Sequence, residues 1–307
     1  MVLGLLVVIP IVFSFSVENV KGANYYPSKH PWEKMWVEWD KNLIDKELKL
    51  AEELGLNTVE TYIQYPFFFS EESIKIRTNM VQKLDEFLKI ANKHGLKVIY
   101  TLFDFVPSYS SSKWEFHKEY LEGIIKRFKN DKRIYLWGIR NEINLIDDVP
   151  DTIIVWAESV ATFIRKYDTI HPLELELGGS DLKFLQNSAT PFIERLGKKI
   201  DVFSVSFYGE PNSLPSILLW LREQSSKPIM VSEFGYSAAL LQEEEKQEKY
   251  FEKILNILKQ TKTGFRFWTL YDFVDEKITD KEKSFGVIRS DYKPKDSYFL
   301  IKNVLKQ

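Results

Sequence analysis

Residues 84–105, LDEFLKIANKHGLKVIYTLFDF, carry the unit on which the reading of the chain turns. Leu84, Phe87, Leu88 and Ala91 recur at three- and four-residue spacing, which puts them on one face of a helix. Gly95 follows, a residue that readily takes the left-handed backbone at a helix end. Directly after it, 96–103 (LKVIYTLF) is apolar and rich in β-branched and aromatic residues, as buried strands are. The same grammar recurs along the chain. Strands are expected at 20–25, 57–63, 96–103, 133–139, 172–178, 200–207, 228–233 and 264–270. Helical faces lie between them, among them Ile44, Leu48 and Ala51, then Leu121, Ile124, Ile125 and Phe128, then Trp156, Val160, Phe163 and Ile164. The helices near 181–196 and 213–224 are the least regular.

Strand–helix alternation implies a parallel sheet. Eight units in a chain of 307 residues fit an α/β (β/α)8 TIM barrel, a single domain over 17–307. A doubly wound open sheet is the runner-up, but it usually carries a glycine-rich nucleotide turn, and neither GxGxxG nor GxxxxGK[ST] occurs. Residues 1–17, MVLGLLVVIPIVFSFSV, precede the first charged side chain, Glu18. The run is short for a membrane span and contains Pro10, so residues 1–16 read as a signal peptide; the missing basic n-region keeps an uncleaved membrane anchor as the alternative. The expected location is secreted, or tethered to the membrane by that segment.

Composition excludes much chemistry. There is no cysteine, hence no disulfide, thiolate nucleophile or cysteine-ligated metal cluster. A formal charge of −2 gives no reason to expect nucleic acid as a partner. Lysine (33) far exceeds arginine (9) and glutamine is only 8, which fits a thermophile and equally a lysine-rich genome. In a (β/α)8 barrel the active site lies at the C-terminal ends of the strands. None of the four histidines falls on a strand end: His94 closes a helix, His117 lies on one, His171 precedes strand five and His30 sits in a loop. That disfavours serine–histidine–aspartate chemistry and histidine metal sites. The strand ends hold carboxylates instead. Strand two carries Glu60, strand three ends near Asp104, strand four in Arg140-Asn141-Glu142, and strand seven in Ser232-Glu233-Phe234-Gly235. Two carboxyls facing one bond, one of them protonated, are the machinery of glycoside hydrolysis, with Glu142 and Glu233 as the candidates. No cofactor or metal is implied, nor a protein partner, and a monomer is the default.

Four segments strengthen this reading. LWGIRNE (136–142), KPIMVSEFG (227–235), GFRFWTLYDF (264–273) and KGANYYP (21–27) resemble the strand-four, strand-seven, strand-eight and strand-one motifs of clan A glycoside hydrolases, nearest to glycoside hydrolase family 5 with its cellulases and mannanases. The start GANYYP and VETYIQY of strand two also resemble β-galactosidase-type families of that clan. The resemblance implies Glu142 as general acid/base, Glu233 as nucleophile, Asn141 on the sugar 2-hydroxyl, Tyr208 holding the nucleophile, and Trp268 stacked under the sugar. Two positions depart from the family pattern: Glu60 stands where family 5 places an arginine, and Ser206 where it usually has histidine. Arg140 is the candidate for the missing positive charge. Trp36, Glu60 and Asp104 are further candidates for substrate contact, with Trp32, Trp39, Tyr62, Phe67–Phe69 and Trp114 as cleft aromatics. The expected activity is retaining hydrolysis of a β-linked poly- or oligosaccharide, of endo-β-1,4-mannanase or glucanase type. The alternatives are an exo-acting β-galactosidase or β-mannosidase of the clan, a non-catalytic carbohydrate-binding barrel, and an unrelated carboxylate–magnesium barrel enzyme.

Overall fold

The computed structural model describes residues 16–306; the expected leader at 1–16 lies outside them but for Ser16. Eight parallel strands close into a barrel: β1 (Lys21–Asn24), β2 (Thr58–Gln64), β3 (Lys97–Asp104), β4 (Ile134–Gly138), β5 (Leu173–Gly178), β6 (Val202–Phe207), β7 (Ile229–Phe234) and β8 (Gly264–Phe267). Each pairs with its sequence neighbours, and β8 closes on β1. The outer helices are α1 (Lys41–Leu54), α2 (Thr78–Lys93), α3 (Trp114–Phe128), α4 (Pro150–Tyr167), α5 (Leu182–Leu196), α6 (Leu214–Gln224), α7 (Glu244–Gln260) and α8 (Asp296–Leu305). All eight expected strands are present. The eighth is shorter than expected: it ends at Phe267, and Tyr271 keeps only an isolated bridge to Ile288.

Local signals explain the helix ends. Asp40 caps α1 by accepting from the backbone N–H groups of Asn42 and Leu43, and Gly55 ends it at φ 96°. Asp181 caps α5, whose irregular pattern reflects Pro191 within it. The helices bury their apolar faces on the outside of the barrel, which forms the main core.

The barrel interior is layered. At the base, Val17 and Val20 pack with Ile99, Leu136, Val202 and Met230. The 3-10 turn Val17–Asn19 lies so close to β8 that a Cβ on Gly264 would come within 1.7 Å of the Val17 carbonyl oxygen. Above this apolar floor the interior turns polar. The guanidinium of Arg266, wholly buried, contacts Glu60 Oε2 at 2.6 Å, Glu174 Oε1 at 3.0 Å and Glu176 Oε2 at 3.8 Å. Thr101 donates to Glu60 Oε1 at 2.5 Å. Gly22 makes room, since a Cβ there would sit 3.1 Å from Arg266 Cγ.

The cluster costs desolvation that one guanidinium offsets for three carboxyls. Burial, with repulsion from Glu174, pushes Glu60 up to about 7 against the pull of Arg266, and burial drives Glu176 well above the carboxylate range. Arg266→Met should therefore destabilise the fold by about 3–5 kcal/mol, read as a lowered midpoint in urea unfolding. The unpaired carboxyls of the variant will bind protons more tightly folded than unfolded. Its deficit should thus shrink as pH falls from 8 towards 5 and widen as pH rises.

Candidate active site

The C-terminal ends of the strands open into a cavity of about 520 Å³ lined by Tyr26, Trp32, Tyr62, Asp104, Phe105, Arg140, Asn141, Glu142, Tyr208, Glu233, Trp268, Lys281, Glu282 and Phe285. Glu142 and Glu233 thus meet in one space, from β4 and β7.

Glu142 is held by its backbone. It takes the left-handed conformation at φ 47°, ψ 51°, at the start of the 3-10 turn Ile143–Leu145. For a residue with a Cβ that costs roughly 1–2 kcal/mol. Asn144 offsets the cost by clamping the turn onto β5: its amide donates to the Gly178 carbonyl at 2.9 Å and accepts from the Gly178 N–H at 2.7 Å. Gly178 must lack a side chain, because a Cβ would lie 2.9 Å from Glu142 Oε1.

Glu233 is held by its side chain. Tyr62 donates to its Oε1 at 2.8 Å and Tyr208 to its Oε2 at 2.7 Å. Burial and the neighbouring carboxylates raise both phenols well above their usual range, so they stay donors. With its amide nitrogen turned inward, the orientation that satisfies both amide atoms, Asn141 donates to Glu176 Oε1 at 2.8 Å and Glu233 Oε1 at 3.3 Å. Burial raises the pKa of both Glu142 and Glu233, and the charge of Glu142 raises Glu233 further. Both carboxyls therefore hold their protons to higher pH than free carboxyls do. The two phenol hydrogen bonds favour the ionised form of Glu233 and so oppose that rise.

The structure brings Asn141, Tyr208, Trp268, Asp104 and Arg140 to the cavity, as well as Trp32 and Tyr62. Two expected contacts are corrected. Trp36 is wholly buried, stacks on Trp39 at 5.8 Å, and donates from its indole to the Tyr62 carbonyl at 2.9 Å. It supports β2 from behind. Glu60 points into the barrel and is consumed by Arg266, Thr101 and Asn24. Nor does Arg140 replace the family arginine beside the nucleophile. Its guanidinium donates to Tyr109 Oη at 3.1 Å, the Asn141 carbonyl at 2.8 Å and Asp104 at 3.5 Å. Tyr62 contacts Glu233 instead, and Asn24, bonded to Glu60 at 2.7 Å, reaches Tyr62 Oη at 3.0 Å. Ser206, in the place of the usual histidine, donates to Glu176 at 2.6 Å.

Sequence reading missed Tyr26, Phe105, Lys281, Glu282 and Phe285. Tyr26 lay within the quoted KGANYYP; Lys281 and Glu282 sit in a charged run, DKEK, that reads as solvated surface. Trp268, whose peptide bond to Thr269 is cis, donates from its indole to Glu282 Oε1 at 3.1 Å. No group of three or more metal-ligating side chains occurs among the described residues, nor any helix long and apolar enough to cross a membrane.

Comparison with known proteins agrees with this fold. The exo-β-1,4-mannosidase Op5Man5 from Opitutaceae bacterium strain TAV5 superposes with a TM-score of 0.79 at 19% identity, covering 93% of this chain and 58% of that one. A GH5_18 variant from Streptomyces cattleya in complex with Manβ1-4GlcNAc gives 0.78 at 16% identity, covering 94% and 80%. Mannan endo-1,4-beta-mannosidase A of Podospora anserina is 23% identical over 206 residues, 55% of this chain and 54% of that protein. Mannan endo-1,4-beta-mannosidase 5 of Arabidopsis thaliana is 20% identical, covering 84% and 77%. The chain spans about half the length of the first of these curated relatives. The family model for cellulase (glycosyl hydrolase family 5) matches residues 19–274, and over that span, which holds the whole barrel and both cavity glutamates, the chain belongs to glycosyl hydrolase family 5.

Proposed function

We propose that the chain is a retaining β-glycosidase that cleaves β-1,4-linked mannosides. The observation that carries the reaction is the pairing, in one cavity, of Glu142 with a Glu233 held between two phenols. The mannose reading is supported by the activities named for its relatives. The apolar leader supports export, with the enzyme released or tethered.

A sugar lying on the Trp268 indole presents its anomeric carbon to Glu233 and its glycosidic oxygen to Glu142. Glu233 attacks and forms a glycosyl ester while Glu142 protonates the departing oxygen. Ester formation removes the Glu233 charge, so the pKa of Glu142 falls and it can take a proton from the incoming water. Asn141 supplies a donor beside the nucleophile, suited to the 2-hydroxyl.

Aryl β-glycosides of mannose, glucose and galactose will test the reaction and rank the sugar, and proton NMR of the first-formed anomer will show retention. Glu142→Ala should lower turnover of poorly activated substrates by about 10²–10⁴-fold and of activated aryl glycosides much less. With azide it should yield the β-glycosyl azide. Glu233→Ala should lose turnover of every substrate, and azide should then yield the α-azide.

The kcat/KM profile should be bell-shaped and displaced above the ordinary carboxylate range, because burial raises both carboxyls. The acid limb reports uptake of a second proton by the pair, and the alkaline limb loss of the first. Tyr62→Phe removes a hydrogen bond that lowers the Glu233 pKa. Its acid limb should move to higher pH, with kcat reduced, in a stopped assay across pH.

A further inference from the structure

The rim of the cavity is built unequally. In the strand order, β8 stands opposite β4. A sugar on Trp268 with its glycosidic oxygen at Glu142 therefore points its leaving group towards β4 and its far end towards β8 and β1. On that far side the rim is a wall. Trp32 lies 5.1 Å from Phe273 and 6.2 Å from Trp268, both edge-on, and stacks on Tyr26 at 5.7 Å.

The loops that carry the wall are fastened to each other. Lys34 pairs with Asp275 at 2.6 Å, and the Val274 N–H donates to the Ser28 carbonyl at 2.8 Å, which tie the loop after β8 to the loop after β1. Ser237 Oγ donates to the Lys281 carbonyl at 2.6 Å and the Ala238 N–H to the Ser284 carbonyl at 2.9 Å, which tie it to the loop after β7. Of the far-side aromatics Trp268, Phe273 and Tyr26 are sealed, at 8%, 3% and 2% exposed, and Trp32 is half-buried. On the β3 and β6 side Phe105 is 47% and Tyr208 40% exposed. The cavity is open where the leaving group departs and shut beyond the sugar that is cut.

We infer that the enzyme removes single sugars from the non-reducing chain end, and that Glu282 is the residue that recognises the end. Its carboxyl lines the cavity at the foot of the wall, where Trp268 engages Oε1. Oε2 remains to accept from the free hydroxyls that only a terminal sugar presents on that side. Burial raises the Glu282 pKa, which strengthens its demand for such a donor. Lys281 stands beside it as a second hydrogen-bonding group. A chain continuing past the stacked sugar would have to displace the Trp32–Phe273 pair.

The inference rests on the hydrolase reading, and the test separates the two. The aryl β-glycoside that is turned over fastest identifies the sugar. The borohydride-reduced β-1,4-hexaose of that sugar is then digested, along with the same hexaose methylated on the terminal 4-hydroxyl, and the products are followed with time. Loss of one sugar at a time supports chain-end action; a hexaose left whole while the aryl glycoside is cleaved overturns it. The methylated end should be protected at least about tenfold. In Glu282→Ala the preference for the free over the methylated end should shrink, and circular dichroism and the unfolding midpoint report whether the variant is folded. Early appearance of internal fragments, or equal cutting of free and methylated ends, overturns chain-end action and leaves the hydrolase reading standing. No turnover of any aryl glycoside or of β-1,4-mannohexaose overturns both.

Discussion

A guanidinium without water must be surrounded by acids, and much of this barrel is arranged around that requirement. Arg266 has no exposed surface, so its charge is answered within the barrel by Glu60, Glu174 and Glu176. Those acids in turn dictate their neighbours. Thr101 and Asn24 donate to Glu60, Ser206 and Asn141 to Glu176, and β1 gives up a side chain at Gly22 to admit the arginine. The apolar base formed by Ile99, Leu136, Val202 and Met230 seals this layer from below.

The same layer supports Glu233. Where the family pattern puts a cation beside it, this chain uses neutral donors, the phenols of Tyr62 and Tyr208, and the positive charge lies deeper, on Arg266. A phenol lowers a carboxylate pKa less than a guanidinium does, so Glu233 retains a stronger affinity for protons. The chain of contacts from Arg266 through Glu60 and Asn24 to Tyr62 aligns one of the two donors.

The barrel was legible because each buried strand is a short apolar run and each helix repeats at its own period. Gly55 and Gly95 mark the joints. Glu142 and Glu233 were legible because barrel chemistry gathers at strand ends. What escaped depended on side-chain direction. Glu60 looks like a strand-end carboxylate, yet pleating turns it inwards onto an arginine more than two hundred residues away. On β5 the alternation LELELG at 173–178 turns Glu174 and Glu176 inward, and this was not singled out because a barrel interior is expected to be apolar. Trp36 follows β1 closely enough to suggest a cleft, but its indole finds a backbone carbonyl behind β2. Glu282 belongs to a charged run, and only the fastening of its loop across the rim makes it part of the cavity.

The turn Val17–Asn19 has a directional meaning. It lies under the base of the barrel, against Gly264, and the carbonyl of Ser16 just before it accepts from Tyr135 Oη at 2.9 Å. Whatever is joined ahead of Ser16 therefore connects at the pole opposite the catalytic mouth. A tether joined there would leave the mouth of the cavity on the far side of the barrel from it.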